Sequence, residues 1–254
     1  MHMVEAMSIC HNVRVHIDSS KAERWLSRPR LAAYLSRAGG DHNEALKLYE
    51  WNAEVSSACL RDVGHFEVLI RNRYSDRLTD YFTDWTSSSS QLWQMENGIP
   101  QTRAKQRYAN KKSRAALNIA LNKAPTPSPG QIIANLTFGF WSQLTLPVRE
   151  STIWTPAISA DFEDSSRGSV HDPMAKLNKF RNRLAHWEPI FSSTTGLTAR
   201  LQEFERIFET VDPDVAAWVG CRSNVIEVLE QCPLSNIGIN VSAYFGKVPA
   251  FQEP

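Results

Sequence analysis

The chain has 254 residues, of which 42% are hydrophobic and 22% are charged, and its formal net charge is +1. This length and composition predict a folded protein with one substantial core, or at most two small ones, and exclude a disordered chain. Because the overall charge is close to neutral, any attraction for nucleic acid must come from local clusters of basic residues.

The cysteines and the N-terminal residues indicate the cellular compartment in which we expect the protein. Cys10, Cys59, Cys221 and Cys232 form no CxxC pair, which argues against a zinc ribbon and a disulfide framework. This pattern suits a reducing cytoplasm, where we expect the protein to act. The first residues lack the features of a signal peptide, and no stretch approaches roughly 18 uninterrupted apolar residues, so no membrane span is predicted.

Hydrophobic periodicity and capping signals predict helix after helix. In the first part of the chain, we expect a helix from a capping box at 20–23 to Gly39-Gly40, a helix from 41–44 through Val55, its continuation over 63–82, and a loop over 86–90. In the middle, we expect helices over 101–123 and 131–145 and a long loop with one short helix over 147–170. The last part is expected to form a helix from Asp172-Pro173 that stops before Pro189, and helices over 197–211 and 213–231.

The predicted architecture is a single all-α domain over 1–254, with 1–40 as a possible N-terminal helical subdomain. Pro29 is expected to kink or split the first helix, and Gly64 to mark a joint in the second. The tail over 232–254 contains alternating apolar residues, which predicts either a short strand or an ordered tail.

The helix over 172–190 holds the candidate site. Asn182 follows Arg181 directly, and His186 comes five positions after Arg181. Asn182 and His186 are four residues apart and share one helix face, which Arg181 is long enough to reach. A guanidinium beside an imidazole is the smallest set of groups that can cleave a phosphodiester without a metal. An apolar stripe is expected to face the core, formed by Met174, Leu177, Phe180, Leu184 and Trp187.

The spacing between Arg181 and His186 carries little weight alone. With 19 arginines and 7 histidines in the chain, chance supplies about one or two such pairs, and Arg37 with His42 is another. That second pair crosses a Gly-Gly helix end and is interpreted as the chance one. The structural alternative for Arg181 and His186 is that they are basic residues near the C-terminal end of a helix, where positive charge interacts favourably with the helix dipole.

The segment 180–191, FRNRLAHWEPIF, resembles the signature helix of HEPN-domain proteins, in particular the bacterial Abi-like (abortive infection) branch. That pattern is an arginine, a polar residue that is often asparagine, a few residues and a histidine, with a Glu-Pro-Ile-like continuation in the Abi-like branch. The segments 46–52, 66–73 and 138–144 also resemble family blocks and occur in family order. The resemblance covers about residues 24–191.

The resemblance implies an all-α, HEPN-like helical bundle with additional N- and C-terminal helices. Many members are metal-independent ribonucleases that serve as toxins or antiphage effectors, and many are dimers in which two Arg–His helices build one composite site. Carried over, Arg181 and His186 would be catalytic and Asn182 the accompanying polar residue. The implied partners are RNA, a second copy of the chain and a neutralising antitoxin, either a protein or an RNA.

Glu67 and Arg71 are secondary candidates for the active site. They are four residues apart on one predicted helix, so an ion pair between them is one reading. The other reading places one or both beside the catalytic pocket, where they orient Arg181 or His186.

Two basic regions are candidates for RNA binding. The motif helix carries Lys176, Lys179 and Arg183. The helix over 101–123 holds seven Lys or Arg and no acid, and Tyr108 on it could stack on a base. The alternative for this second region is a solvated face, or one paired with acids such as Glu203, Glu205 and Glu209. Its RNA-binding candidates are Arg103, Arg107, Lys111 and Lys112.

No cofactor and no metal are predicted, because the chain has no glycine-rich phosphate loop and because His11, His16, His65 and His171 show no ligand spacing. Two further functions stay open beside the ribonuclease. One is a non-catalytic module that binds RNA or a nucleotide. The other is a helical interaction protein in which the motif is only helix surface.

Overall fold

The computed structural model describes residues 17–126, 128–162, 165–191 and 194–237. Within these ranges the chain is all-α, as predicted, and contains no strand. The α-helices are α1 (Ser19–Leu26), α2 (Arg28–Arg37), α3 (His42–Tyr81), α4 (Pro100–Lys123), α5 (Pro129–Asn135), α6 (Phe138–Gln143), α7 (Arg167–Ala185), α8 (Thr194–Val211), α9 (Pro213–Gly220) and α10 (Val225–Glu230). Short 3-10 helices cover Gln91–Gln94, Pro147–Arg149, Ile158–Asp161 and Ser235–Ile237, and a π-helix covers Glu150–Trp154.

The central element is α3, one helix of 40 residues against which α2, α6, α7, α9 and α10 pack. Asp41 caps its first turn by accepting hydrogen bonds from the backbone N–H groups of Asn43 and Glu44. The predicted joint at Gly64 is wrong, because the helix continues through it. A glycine costs a helix about 1 kcal/mol, and Val63 and Phe66, buried on either side, hold this one in place.

The motif helix α7 begins earlier than predicted. Its N-cap is Ser166, whose hydroxyl accepts a hydrogen bond from the backbone N–H of Ser169, so Asp172 and Pro173 lie inside the helix. The proline removes one hydrogen bond, and burial of Val170 and Met174 on either side keeps the helix intact. The predicted stop before Pro189 is confirmed, since α7 ends at Ala185.

Three other predicted boundaries need correction. The expected helix over 131–145 is two helices, α5 and α6, because Leu136 and Thr137 are extended. The expected helix over 213–231 is also two, α9 and α10, separated by a turn after Gly220. In the tail, Ile237 ends a 3-10 helix rather than entering a strand, and residues 239 and 241 lie outside the described residues.

The split near Pro29 is confirmed. It occurs at Ser27, which has a φ of 66° between α1 and α2. The capping residue of α1 is Asp18 rather than Ser20, because the Asp18 carboxylate accepts the hydrogen bond from the backbone N–H of Lys21.

The C-terminal helices, which the family resemblance does not cover, attach to α3 through polar contacts. The indole N–H of Trp51 donates to the carbonyl of Val228 at 2.8 Å. Arg73 forms an ion pair with Asp212 at 2.5 Å. The hydroxyl of Ser223 donates to the carboxylate of Asp62, whose pKa is raised by burial. A single cluster of buried apolar residues runs from α1 to the final 3-10 helix.

Candidate active site

The candidate site lies at the C-terminal end of α7. Its buried stripe is as predicted at Met174, Leu177, Phe180 and Leu184. The prediction for Trp187 is wrong, because its side chain is 42% exposed and lies beyond the helix end. The core-facing stripe therefore stops with the helix.

The end of α7 has the hydrogen bonds of a Schellman motif. His186 is the C-cap, Trp187 donates to the carbonyl of Leu184, and Glu188 donates to the carbonyl of Arg183, both at 3.0 Å. The residue after the C-cap in this motif adopts a left-handed conformation and is usually glycine. Here it is Trp187, with a φ of 49°. A left-handed conformation costs a residue with a side chain about 1–2 kcal/mol, so other contacts must stabilise this helix end.

Two side chains from other helices supply those contacts. Arg30 of α2 donates to the carbonyls of His186 and Trp187 at 3.1 and 3.3 Å. Asn52 of α3, which is fully buried, donates to the carbonyl of Glu188 and accepts from the backbone N–H of Ile190. The sequence interpretation missed both residues. Asn52 could have been found as the one amide among apolar residues at helical spacing, whereas nothing local marks Arg30.

Arg181 points towards α3. Its Nε lies 3.6 Å from a carboxylate oxygen of Glu67, and the side chains are 33% and 17% exposed respectively. The alternative of a Glu67–Arg71 ion pair is not what the structure shows, because Glu67 pairs across the helix interface instead. Arg71 is half-buried on the same helix. Glu67 thus orients Arg181 while leaving part of its guanidinium open to solvent.

Arg181, Asn182 and His186 share a helix but not a set of contacts. Asn182 and His186 are exposed, and the carbonyl of Asn182 accepts the hydrogen bond from the backbone N–H of His186. In the described part of the chain, no hydrogen bond or ion pair joins Arg181 to the ring of His186. Five residues at about 100° each separate their directions by roughly 140° around the helix.

The basic flank of α7 borders a groove between α7 and α8 of about 470 Å³. Lys176 pairs there with Glu203 at 2.7 Å, and Arg183 pairs with Glu188 at 3.3 Å. Lys179 also lines the groove, and so does Arg200 of α8, which the sequence interpretation did not select. Burial and the nearby Arg183 lower the pKa of Arg200. The apolar part of the lining includes Leu177, Phe180 and Phe204.

The second basic region is the outer face of α4. Arg103, Lys111 and Lys112 are exposed on it, and the ammonium of Lys112 lies 4.7 Å from the ring centre of exposed Tyr108. Arg107 instead forms two hydrogen bonds with Glu96. Glu203, suggested as a partner of this face, pairs with Lys176 of α7.

Two other histidines, His171 and His65, contact residues that are not part of this site. His171 forms a hydrogen bond with the hydroxyl of Thr145 at 2.9 Å, and burial lowers its pKa. His65 packs edge-on against Trp218. His11, His16 and Cys10 lie outside the described residues, and the other three cysteines are free thiols.

The described residues contain no group of three or more His, Cys, Asp or Glu placed to hold a metal ion. None of the helices they form combines the length and apolarity that a membrane crossing requires.

The fold and the site define an all-α protein with a candidate site at the end of one helix. A family model described as Abi-like protein matches residues 26–192, more than half of the chain, and the chain belongs to this family. All four segments that resemble family blocks lie inside the matched range. No curated protein and no solved structure matches the chain. Membership of the Abi-like family suggests a role in abortive infection or defence.

Proposed function

We propose that the chain is a metal-independent endoribonuclease of the HEPN type that acts in abortive infection or as a toxin. The observation that carries the proposal is the ion pair of 3.6 Å between Glu67 and Arg181. It holds a guanidinium in place beside the end of α7, where the ring of His186 is exposed. The segments that contribute Glu67 and Arg181 are two of those that resemble family blocks.

In the proposed reaction the nucleophile is the 2′-hydroxyl of the RNA. A neutral imidazole takes its proton, the 2′-oxygen bonds to the phosphorus, and an imidazolium protonates the departing 5′-oxygen. Arg181 holds the phosphate and stabilises the charge of the phosphorane through its planar fork. The products carry a 2′,3′-cyclic phosphate and a free 5′-hydroxyl. Asn182 is the accompanying polar residue beside this pair.

We further propose that the working unit is a dimer. One imidazole can act as either the acid or the base at a given phosphate, and the motif supplies one, His186, so a symmetric dimer would supply both roles. Arg181 and His186 also point in different directions around α7, as five residues on a helix must. A second copy of the chain with its α7 against the first would bring a second His186 to the site.

The substrate would be held mainly through its phosphates. Lys179 and Arg200 line the groove beside α7, and the outer face of α4 offers Arg103, Lys111 and Lys112. A cell that carries such an enzyme needs to restrain it, so a neutralising protein or RNA belongs to the proposal.

The test is incubation of the purified chain with total RNA in EDTA, with the product ends mapped. Wild type should give cyclic-phosphate ends, and His186→Ala or Arg181→Ala should lower the cleavage rate by about 10²–10⁴-fold. Cleavage that survives in His186→Ala at the wild-type rate would contradict the proposal.

The dimer has its own test. Wild type is mixed with His186→Ala in equal amounts and allowed to exchange subunits. If each site needs both imidazoles, cleavage should fall to about a quarter of the rate of wild type at the same total concentration of chain, because only about one dimer in four is intact. A fall to half, or full activity in a monomer, would contradict a shared site.

The second candidate function is a non-catalytic module that binds RNA or a nucleotide. The groove between α7 and α8 favours it, since cations from both helices border an apolar lining that includes Phe180 and Phe204. RNA binding by a wild-type chain that never cleaves, in any oligomeric state, would support this candidate over the ribonuclease.

A further inference from the structure

An aromatic surface lies directly beside His186. The Trp187 ring is centred 6.5 Å from the ring of Tyr49, which is centred 5.4 Å from the ring of Trp25, and both contacts are edge-on. The two tryptophans are 42% and 53% exposed, whereas Tyr49 is 5% exposed. The buried tyrosine therefore connects two exposed indoles, and we name Trp25, Tyr49 and Trp187 the aromatic platform.

The backbone on both sides of the platform is strained. Among the described residues, Ser27 and Trp187 are the two that are not glycine and have a positive φ, at 66° and 49°. Ser27 separates Trp25 on α1 from Arg30 on α2, and Trp187 takes a position that helix ends usually give to glycine. A strained bulky residue that is also exposed gains little from burial. Strain of this kind points to a function outside folding.

The platform is bordered by positive charge. Between residues 21 and 37 the chain has five Lys or Arg, of which Lys21 pairs with Asp18 and Arg28 pairs with Glu23. Arg24, next to Trp25, is exposed and has no ion-pair partner in the described residues. Arg30 connects this basic region to the site itself, through its hydrogen bonds to the carbonyls of His186 and Trp187.

Exposed aromatic rings interleaved with cations are the surface that single-stranded nucleic acid binds, since the rings stack on bases and the cations hold phosphates. We propose that the aromatic platform stacks an unpaired base of the RNA substrate next to the phosphate that His186 serves. This inference rests on the proposed function for the position of the phosphate. The proposed dimer joins two copies through α7, whereas a symmetric contact through Trp25 would bring the basic residues around Arg24 of both copies against each other.

The probe is a 2′-O-methyl oligoadenylate twelve nucleotides long, which lacks the nucleophile and cannot be cleaved. Its partner probe is an abasic oligomer of the same length, with the same phosphates and no bases. Wild type should bind the oligoadenylate about tenfold more tightly than the abasic oligomer, as stacking of one base predicts. Trp187→Ala should lose this preference while keeping its affinity for the abasic oligomer.

Two further substitutions separate a lost ring from a misfolded chain. Trp187→Gly removes the ring but suits the left-handed backbone, so it should fold and lose the preference as well. Trp187→Phe should retain most of it. The matched control is Trp218→Ala on α9, where the indole is 51% exposed and Arg222 lies 4.2 Å from the ring centre. It should bind both oligomers as wild type does.

The proposal is overturned if wild type does not bind oligoadenylate, or if wild type binds the two oligomers with equal affinity. It is also overturned if Trp187→Ala and Trp218→Ala change the affinity for oligoadenylate equally. A change of oligomeric state in Trp187→Ala with unchanged RNA binding would assign the platform to a protein contact instead. Cleavage of unmodified RNA is scored separately. If it is absent while base-dependent binding through Trp187 holds, the ribonuclease proposal fails and the binding surface stands.

Discussion

The ends of α2 and α7 use the same hydrogen bond in two different ways. At the end of α2, Gly40 donates to the carbonyl of Leu35 at 2.9 Å, and Gly39 before it has a φ of 62°. At the end of α7, Glu188 donates to the carbonyl of Arg183 at 3.0 Å, and the corresponding residue is Trp187. One end uses the residue that fits the left-handed conformation, and the other uses one of the bulkiest residues available.

The difference shows where each end gets its stability. The end of α2 is stabilised by neighbouring residues, because Gly39 fits the turn and Asp41 immediately caps the next helix. The end of α7 depends on distant parts of the chain, since Arg30 and Asn52 form hydrogen bonds with its carbonyls and with the segment that follows it. A helix end that is costly by itself is thus stabilised from two other helices, and it exposes His186 and Trp187.

The two pairs that match the arginine–histidine spacing lie at these two helix ends, Arg37–His42 at the end of α2 and Arg181–His186 at the end of α7. The first pair can therefore serve as a control for the second. Arg37 is the last residue of α2 and His42 the first of α3. If the α7 pair is catalytic and the α2 pair is a chance match, His186→Ala should lower RNA cleavage by about 10²-fold or more. His42→Ala should leave it within about twofold in the same assay. Similar losses in both variants would remove the distinction between the two ends.

The tertiary support of α7 can be measured through Asn52. Asn52→Leu leaves the buried N–H of Ile190 and the partly buried carbonyl of Glu188 without their partner. We expect the free energy of unfolding to fall by about 2–3 kcal/mol, since a buried unsatisfied group costs about 1–3 kcal/mol. Urea denaturation measures the change. Asn118→Leu on the exposed face of α4 is the control and should change stability little. An unchanged midpoint for Asn52→Leu would show that α7 ends stably without this contact.

Elements with local determinants could be predicted from the sequence. The all-α class, the bounds of α4 and the buried stripe of α7 follow from periodicity and helix formers. The end of α2 followed from Gly39 and Gly40. The start of α7 was misplaced because Asp172-Pro173 is a stronger local signal than Ser166, and packing around Val170 overrides it.

The site could be predicted only in part, for a related reason. Periodicity placed Trp187 in the core stripe because a helix continued by one turn would bury it there. The structure ends the helix at Ala185 through contacts with Arg30, 157 residues before Trp187 in the chain. The partner of Arg181 was uncertain in the same way, because Glu67 has a local candidate in Arg71 and the structure pairs it with Arg181 on another helix. Contacts between distant residues leave no local pattern.

The cross-helix ion pair gives the next prediction. Glu67→Gln removes the charge that orients Arg181 and should lower kcat for RNA cleavage by about tenfold, with KM changed less, because a misplaced phosphate ligand acts mainly on the transition state. Glu67→Asp should recover part of the loss. Asp76→Asn, an exposed acid on the same helix, is the control and should behave as wild type. If Glu67→Gln raised KM alone, Glu67 would serve substrate binding rather than the placement of Arg181.

Substitutions at Trp187 and Gly39 have the smallest expected effect on stability, and they test the comparison of the two helix ends most directly. Trp187→Gly and Trp187→Ala lose the same ring contacts, so the difference between their unfolding free energies isolates the backbone conformation. We expect the glycine variant to be more stable by about 1 kcal/mol, and Gly39→Ala to destabilise α2 by a similar amount, because alanine pays for the left-handed conformation in both places. Chemical denaturation of the three variants beside wild type gives both differences. If Trp187→Gly is no more stable than Trp187→Ala, the backbone at Trp187 is not strained, and the aromatic platform loses that support while its exposure and charge remain.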